Sequence, residues 1–224
     1  MSTDAAPRYI IEPLGKQHDR AAFSCGVEPL DRYFKLQAGQ ESRRHIANCF
    51  VAVDRTDNSI AGFYTLSATS VTFDGLPEGL RKKLPRYPDV PAALVGRLAR
   101  NLRHRGQGVG RRLIVDAMRR TLAADLAATL LVVDAKDDAA LRFYREIGFL
   151  DIGPGRSRLY MPVAEIGESF GASPCDQERQ TAIKQAYPWP HSQSTPHSTC
   201  LSAAESLKMA HATRYCQGED YSNA

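Results

Sequence analysis

The chain is predicted to form a single α/β or α+β domain, a mixed central sheet flanked by helices, and three features of its 224 residues carry that expectation. Apolar runs suited to strands lie in the first half. A glycine-rich turn then opens an amphipathic helix, and a wholly apolar LLVVD segment is followed by a second such helix. With 43% hydrophobic and 24% charged residues the composition is that of an ordinary globular protein, which excludes collagen-like, coiled-coil and mostly disordered chains.

Tyr9 to Ile11 reads as a short first strand. From Glu28, the segment EPLDRYFKLQAGQESRR sets Leu30, Phe34 and Ala38 four residues apart, the stripe of one amphipathic helix. CFVAVD and AGFYTLSATSVTF read as two strands of a hairpin, joined through Asp57-Asn58. PEGLRKKL is a short helix stopped by Pro85, and PAALVGRLARN a strand partly buried on both faces. After the turn LRHRGQGVG comes a helix with Leu113, Ala117 and Ile114, Met118, Leu122 facing inward. LLVVD is a central strand, and Asp137 or Asp138 caps the next helix, whose Ala140, Phe143 and Ile147 face the core and which Gly148 ends. FLDI and SRLYMPV close the sheet as a pair of strands.

Composition changes near Ala164. The formal charge of +4 divides there, with seven acidic and four basic residues giving −3 over 165–224 and leaving +7 on 1–164. The downstream stretch is rich in Ser, Thr, Pro, Gln and His and holds the chain's one Trp, Trp189. Too few aliphatic residues lie in it to offset about 1–2 kcal/mol of backbone entropy per residue. The expected division is therefore a domain over 1–164 and a disordered or non-functional extension over 165–224, with at most a short helix from Ala203 to Arg214. Five cysteines at irregular spacing give no disulfide framework, and His191, His197 and Cys200 fit no zinc pattern, so no metal is expected. There is neither a leader-like N-terminus nor an apolar run of about 18 residues, which points to a cytoplasmic protein without a membrane span.

Arg105-Gly106-Gln107-Gly108-Val109-Gly110 is the sharpest local feature. Alternating glycines let successive N–H groups face one point, and the following helix adds its positive N-terminus, so the turn suits a pyrophosphate. It is not a Walker loop, because no Gly-Lys-Ser/Thr follows, and it lacks the acidic partner of a dinucleotide fingerprint. Glycine spacing alone favours a tight strand-to-helix turn that holds no ligand.

Arg105-x-x-Gly108-x-Gly110, with LLVVDAKDDAALRFYREIGF downstream, resembles the GNAT superfamily of acyl-CoA N-acetyltransferases over most of residues 8–163. Phe23 to Gln40 and Val95 to Asn101 are similar to the GNAT toxins of bacterial toxin–antitoxin pairs, which acetylate the amino acid on charged tRNA. The resemblance implies the GNAT fold, with splayed strands forming an acetyl-CoA cleft. It implies that Leu98, Ala99 and Arg100 meet the pantetheine arm, that Arg105, Gly106, Gln107, Gly108, Val109, Gly110 and Arg111 hold the pyrophosphate, and that Tyr144 is the general acid. Aminoacyl-tRNA, a ribbon-helix-helix antitoxin and a second copy of the chain are the partners implied. One departure stands out: Arg100-Asn101 occupies the place of an apolar residue and Asp.

The chemistry is consistent with these residue types. A tyrosine with a reference pKa of about 10 is protonated at neutral pH and can donate to a departing thiolate, an effect worth about 10²–10⁴-fold. No His or Glu base stands in the motif segments. A lysine acceptor, with a pKa of about 10.4, would need one, whereas an α-amine of pKa about 8 keeps a sizeable neutral fraction. Arg97, Arg103, Arg43 and Arg44 are candidates for contacting the acceptor. Arg100, Arg103, His104, Arg105, Arg111 and Arg112 form a basic cluster around the turn, Arg81, Lys82, Lys83 and Arg86 a second one, and Arg119 and Arg120 are expected to be solubilising. Cys25 has no His beside it and reads as a structural thiol. Two other functions remain: the same fold acting on a small-molecule or protein amine, and a non-enzymatic RNA- or protein-binding module.

Overall fold

The computed structural model describes residues 7–153 and 157–171, all within one compact unit. The expectations for the Ser- and Pro-rich stretch, from residue 172 onward, lie outside the described residues. In chain order the elements are β1 (Tyr9–Pro13), α1 (Glu28–Leu36), α2 (Ala38–Arg43), β2 (Asn48–Asp54), β3 (Ile60–Thr72), α3 (Glu78–Arg81), β4 (Asp89–Arg100), α4 (Val109–Leu122), β5 (Leu130–Asp134), α5 (Asp138–Ile147), β6 (Leu150–Asp151), β7 (Arg158–Pro162) and α6 (Val163–Phe170). The sheet is seven-stranded and mixed, in the order β1-β2-β3-β4-β5-β7-β6.

Among the described residues only β4 and β5 pair in parallel, through the register Ala92↔Leu130 to Val95↔Val133. A parallel pair needs a crossover, and the glycine turn with α4 supplies it. Beyond Val95, β4 runs on to Arg100 with β3 as its sole partner. Leu66 faces Val95 and Thr65 faces Arg97, so Gly96 has no opposite residue and forms a β-bulge. A bulge bends its strand and sharpens the twist. Here it coincides with the point where β4 parts from β5, and the Arg97 N–H is caught by Thr65 Oγ1 at 3.0 Å.

Helices cover both faces. Against one, Leu113, Ile114 and Ala117 of α4 are fully buried with Tyr144 and Ile166 beside them. Against the other, the ring of Phe34 stacks on Phe63 at 4.2 Å, and Phe23 closes the cluster. The predicted single helix from Glu28 is interrupted at Gln37, which ends α1 and opens α2. The break folds α2 back so that Glu41 accepts the Tyr33 hydroxyl proton at 2.7 Å, while Ala38 is buried at the corner.

Two expectations are corrected. The folded body does not stop at Ala164: α6 continues it to Phe170, because Ile166 is 1% exposed in the main core and Phe170 lies under the Arg119 guanidinium. Arg120 is no mere solubilising charge either. It pairs with Asp116 at 2.7 Å and sits 4.0 Å above the Phe50 ring, while Asp116 also takes the Tyr64 hydroxyl proton.

Ile166→Ala should cost about 2–5 kcal/mol, the usual penalty for emptying a packed aliphatic site. Urea unfolding of the variant measures it, and an unchanged midpoint would mean that α6 does not share the core.

Candidate active site

The parting of β4 from β5 opens a cleft of about 370 Å³, lined by Arg97, Leu98, Arg100, Gly110, Phe143 and Tyr144 among others. One wall is the edge of β4 beyond Val95, which no neighbouring strand covers on the β5 side. That edge offers main-chain hydrogen-bond groups to an extended chain carrying amides, as a missing strand would receive them.

At the end of β4 a short 3₁₀ turn, Leu102–His104, leads into the glycine turn. Gly106 and Gly108 have φ of 77° and 72°, a left-handed conformation that costs an L-residue about 1–2 kcal/mol. Nothing lies within 4 Å of the place where a Cβ would stand on either. Backbone conformation therefore demands these two glycines, and the space before them is open. Gly108 caps α4 without a side-chain hydrogen bond, and among the described residues the first-turn N–H groups have no acceptor and face the turn with the helix's positive end. Gly110 has another reason: a Cβ there would come within 3.3 Å of the Phe143 ring.

The other turn residues divide. Arg105 and Arg111 are exposed, whereas Val109 is 1% exposed and can contribute only its backbone. Gln107 turns back, accepting the Tyr9 hydroxyl proton and donating to the Arg103 carbonyl at 3.3 Å. His104, grouped by sequence with the surface cations, is buried. Its Nδ1 is 3.2 Å from the Tyr9 hydroxyl and 3.8 Å from Asp54, whose carboxyl the hydrogen-bonded Arg8 guanidinium holds well below the usual range. Tyr9 thus ties the first strand to the glycine turn, a contact no local pattern signals.

Tyr144 stands on α5 at the cleft. Asp137 caps that helix by accepting from the Ala140 N–H at 2.8 Å, and Gly148, with φ of 113°, ends it. The ring is 6% exposed, edge-on to Phe143 and Phe149, and its hydroxyl has no hydrogen-bond partner among the described residues. Burial, with Asp134 adding to it, pushes the phenol up to about 12. Asp134 itself is engaged by Arg158 at 2.6 and 2.8 Å.

On the α1 side, Arg97 lies 3.7 Å over the Tyr33 ring and 3.6 Å from Glu41. Sequence reasoning named Arg97 but neither partner, since Tyr33 and Glu41 meet only through the unforeseen break at Gln37. Arg43, the last residue of α2, and Arg44 just past it are exposed and do not line the cleft, and Arg103 is exposed on the 3₁₀ turn. Asn101, the departure noted in the motif, is buried and structural. Its Nδ2 donates to the Ile60 carbonyl at 3.2 Å and its Oδ1 accepts the Arg103 N–H. Burial, followed by Asp31, raises the Cys25 thiol to about 11, so it stays protonated at neutral pH. No group of three metal-ligating side chains exists among the described residues.

Residues 17–149 match the acetyltransferase (GNAT) family. The chain is 29% identical over 181 residues to a probable toxin TacT of Sinorhizobium fredii, covering 76% of this chain and all of that one. It is 33% identical over 156 residues to a tRNA-acetylating toxin of Mycobacterium tuberculosis, covering 69% of this chain and 89% of the relative. Among solved structures, AtaT complexed with acetyl-methionyl-tRNAfMet superposes with a TM-score of 0.67 at 29% identity, over 72% of this chain and 99% of that one.

Gly108→Ala is expected to weaken acetyl-CoA binding about tenfold, since the strained residue must distort the turn or the helix start. Calorimetric titration reads the affinity directly, and an unchanged value would remove the glycine turn from the binding site.

Proposed function

The chain belongs to the acetyltransferase (GNAT) family, and on that premise we propose that it transfers acetyl from acetyl-CoA to the α-amine of aminoacyl-tRNA, acting as the toxin of a toxin–antitoxin pair. The observation that carries this reading is the cleft itself, where Tyr144, the uncovered edge of β4 and the first turn of α4 converge. Similarity to a tRNA-acetylating toxin over 89% of that protein's length supports the choice of acceptor.

The residues present fit acetyl-CoA. The left-handed glycines leave open space before N–H groups that lack acceptors, which suits a pyrophosphate. Arg105 and Arg111 flank it, and the backbone of Leu98 to Arg100 offers the edge along which a pantetheine arm pairs. Bound there, acetyl-CoA supplies an acyl thioester activated for attack by an amine.

The protein's own part is to orient and to move a proton. As the amine nitrogen bonds to the acyl carbon and the carbon–sulfur bond breaks, Tyr144 delivers its phenol proton to the sulfur. The proton lost by the nitrogen goes to solvent, from which the phenol is reprotonated. Burial keeps the phenol proton in place across neutral and mildly alkaline pH, where the amine is already largely neutral. Arg97, steadied by Tyr33 and Glu41, presents a cation at the α1 side of the cleft, where a tRNA 3′ end brings phosphate. The amine needs no strong base, because an α-amine next to an ester is largely neutral near pH 8.

A small ribbon-helix-helix antitoxin, a second copy of the chain and a cytoplasmic setting complete the reading. Among the described residues no helix is long and apolar enough to cross a membrane. The catalytic unit is proposed to end with α6, so that deletion of residues 172–224 leaves transfer intact.

Incubation with labelled acetyl-CoA and either charged or deacylated tRNA tests the acceptor: label is expected on the charged pool alone. Label on a small amine or a protein lysine with none on charged tRNA would favour the same fold with a different substrate. Tyr144→Phe should lower transfer about 10²–10⁴-fold and leave acetyl-CoA affinity unchanged. The pH profile carries a sign. An acid must be protonated, so with Tyr144 at about 12 the falling limb lies above pH 11. Below it, kcat/KM should rise as the amine loses its proton and then level off. A falling limb below pH 10 would assign the acid elsewhere.

A further inference from the structure

The second basic cluster is not explained by acetyl-CoA. Arg81, Lys82, Lys83 and Arg86 lie in the loop between β3 and β4, at the end of β4 remote from the cleft. From Asp89 to Arg97, β4 spans about 26 Å at about 3.3 Å per residue, and the glycine turn lies beyond that again. A ligand filling the cleft cannot reach these cations, so whatever anion they hold is another one or a much longer one.

The loop is built to display them. Leu76 is 3% exposed, and Leu80 and Leu84 pack with it on Val71, Val90 and Tyr160, while the Phe73 N–H bonds to the Pro88 carbonyl at 2.9 Å and closes the loop. Inward leucines every fourth residue leave Lys82, Lys83 and Arg86 facing water on a fixed frame. Beside them Tyr87 is 64% exposed, an aromatic ring with no ring stacked on it among the described residues. Arg81, Lys82, Arg86 and Tyr87 border a cleft of about 930 Å³ that also holds the carboxylates of Asp74 and Glu78, with Lys83 outside it. Lys82 is paired with Glu78 at 2.8 Å and Arg81 more loosely with Asp74 at 3.9 Å, while the Arg81 Nε is buried without a partner and Lys83 and Arg86 have no ion pair among the described residues.

Ordered cations around an exposed aromatic ring are what a nucleic-acid backbone with an accessible base or ribose face fits. We infer that the α3–β4 loop is a second contact for the body of the tRNA, holding backbone phosphates on Lys83 and Arg86 and packing a base or ribose against Tyr87. The inference rests on the proposed acceptor, and it gives that reaction a way to select whole tRNA over any small aminoacyl ester. The cluster and the cleft then act as two points on one polyanion, and neither alone needs high affinity.

The test compares Lys83→Ala/Arg86→Ala and Tyr87→Ala with the unaltered full-length protein. All three positions are exposed, so folding should be unaffected, and an unchanged melting temperature confirms it. The double variant is expected to raise KM for charged tRNA about tenfold, with kcat and the KM for acetyl-CoA unchanged. On an aminoacylated CCA fragment, which cannot reach the loop, it should behave as the unaltered protein does. The salt dependence of binding to deacylated tRNA should lose about 1.4–1.8 from its logarithmic slope, the share of two phosphate contacts. Tyr87→Phe should restore what Tyr87→Ala loses. Equal effects on tRNA and fragment, or none on either, overturn the inference, as does weakened antitoxin neutralisation with tRNA binding intact. Because binding to deacylated tRNA is read without catalysis, the loop can fail while transfer to charged tRNA succeeds, and the reverse.

Discussion

Everything at the site depends on the parting of one parallel strand pair. β4 and β5 are held together for four residue pairs and then separate at Gly96, where an unmatched residue in the β3–β4 ladder bends the strand. Were the pair to continue, the main-chain groups of Leu98 to Arg100 would be spent on β5 and the cleft would not exist. Thr65 secures the bend from below through its hydroxyl, which accepts the Arg97 N–H and replaces a lost ladder contact. A buried donor left unpaired there would cost about 1–3 kcal/mol, so this single side chain lets the sheet open without penalty.

Around that opening the protein places one group of each kind that acyl transfer needs, and it fixes each through a distant partner. The glycine turn is held from β1, because Tyr9 reaches across to both His104 and Gln107. Tyr144 is fixed by aromatic neighbours instead of hydrogen bonds, which leaves its hydroxyl available for chemistry and its proton firmly bound. Arg97 is restrained by Tyr33 and Glu41 from a different pair of helices. Tyr144, the glycine turn and Arg97 thus belong to separate packing units that meet at the cleft. The basic loop beyond β3 extends the same logic outward, with leucines ordering a surface on which Lys83 and Arg86 have no ion pair among the described residues.

Much of this was legible in the residues. The glycine turn, the helix after it, the LLVVD strand and the helix ending at Gly148 are written locally, since each depends on spacing, capping or a left-handed backbone. Tyr144 became legible only with the motif around it, because a tyrosine on an inner helix edge is otherwise an ordinary core residue. His104 and Arg120 were misread for a shared reason: both sit among surface charges in the sequence, and only packing reveals that one points inward and the other lies flat on Phe50. The fall in aliphatic content after Ala164 hid α6, as eight residues offer too short a window for their periodicity to stand out.

By itself the sequence determined the alternation of strands and helices and the glycine turn that opens α4, because those rest on interactions between residues close in the chain or on backbone conformations that glycine alone adopts cheaply. The tertiary structure decided where β4 leaves β5, that the helix after Glu28 breaks at Gln37, and that Tyr33, Glu41 and Arg97 form one cluster. It also decided that Tyr9 and Gln107, nearly a hundred residues apart, share a proton donor and acceptor. Such contacts have no period and no local signature. They exist because seven strands in one fixed order leave each side chain a single neighbourhood in which to be satisfied.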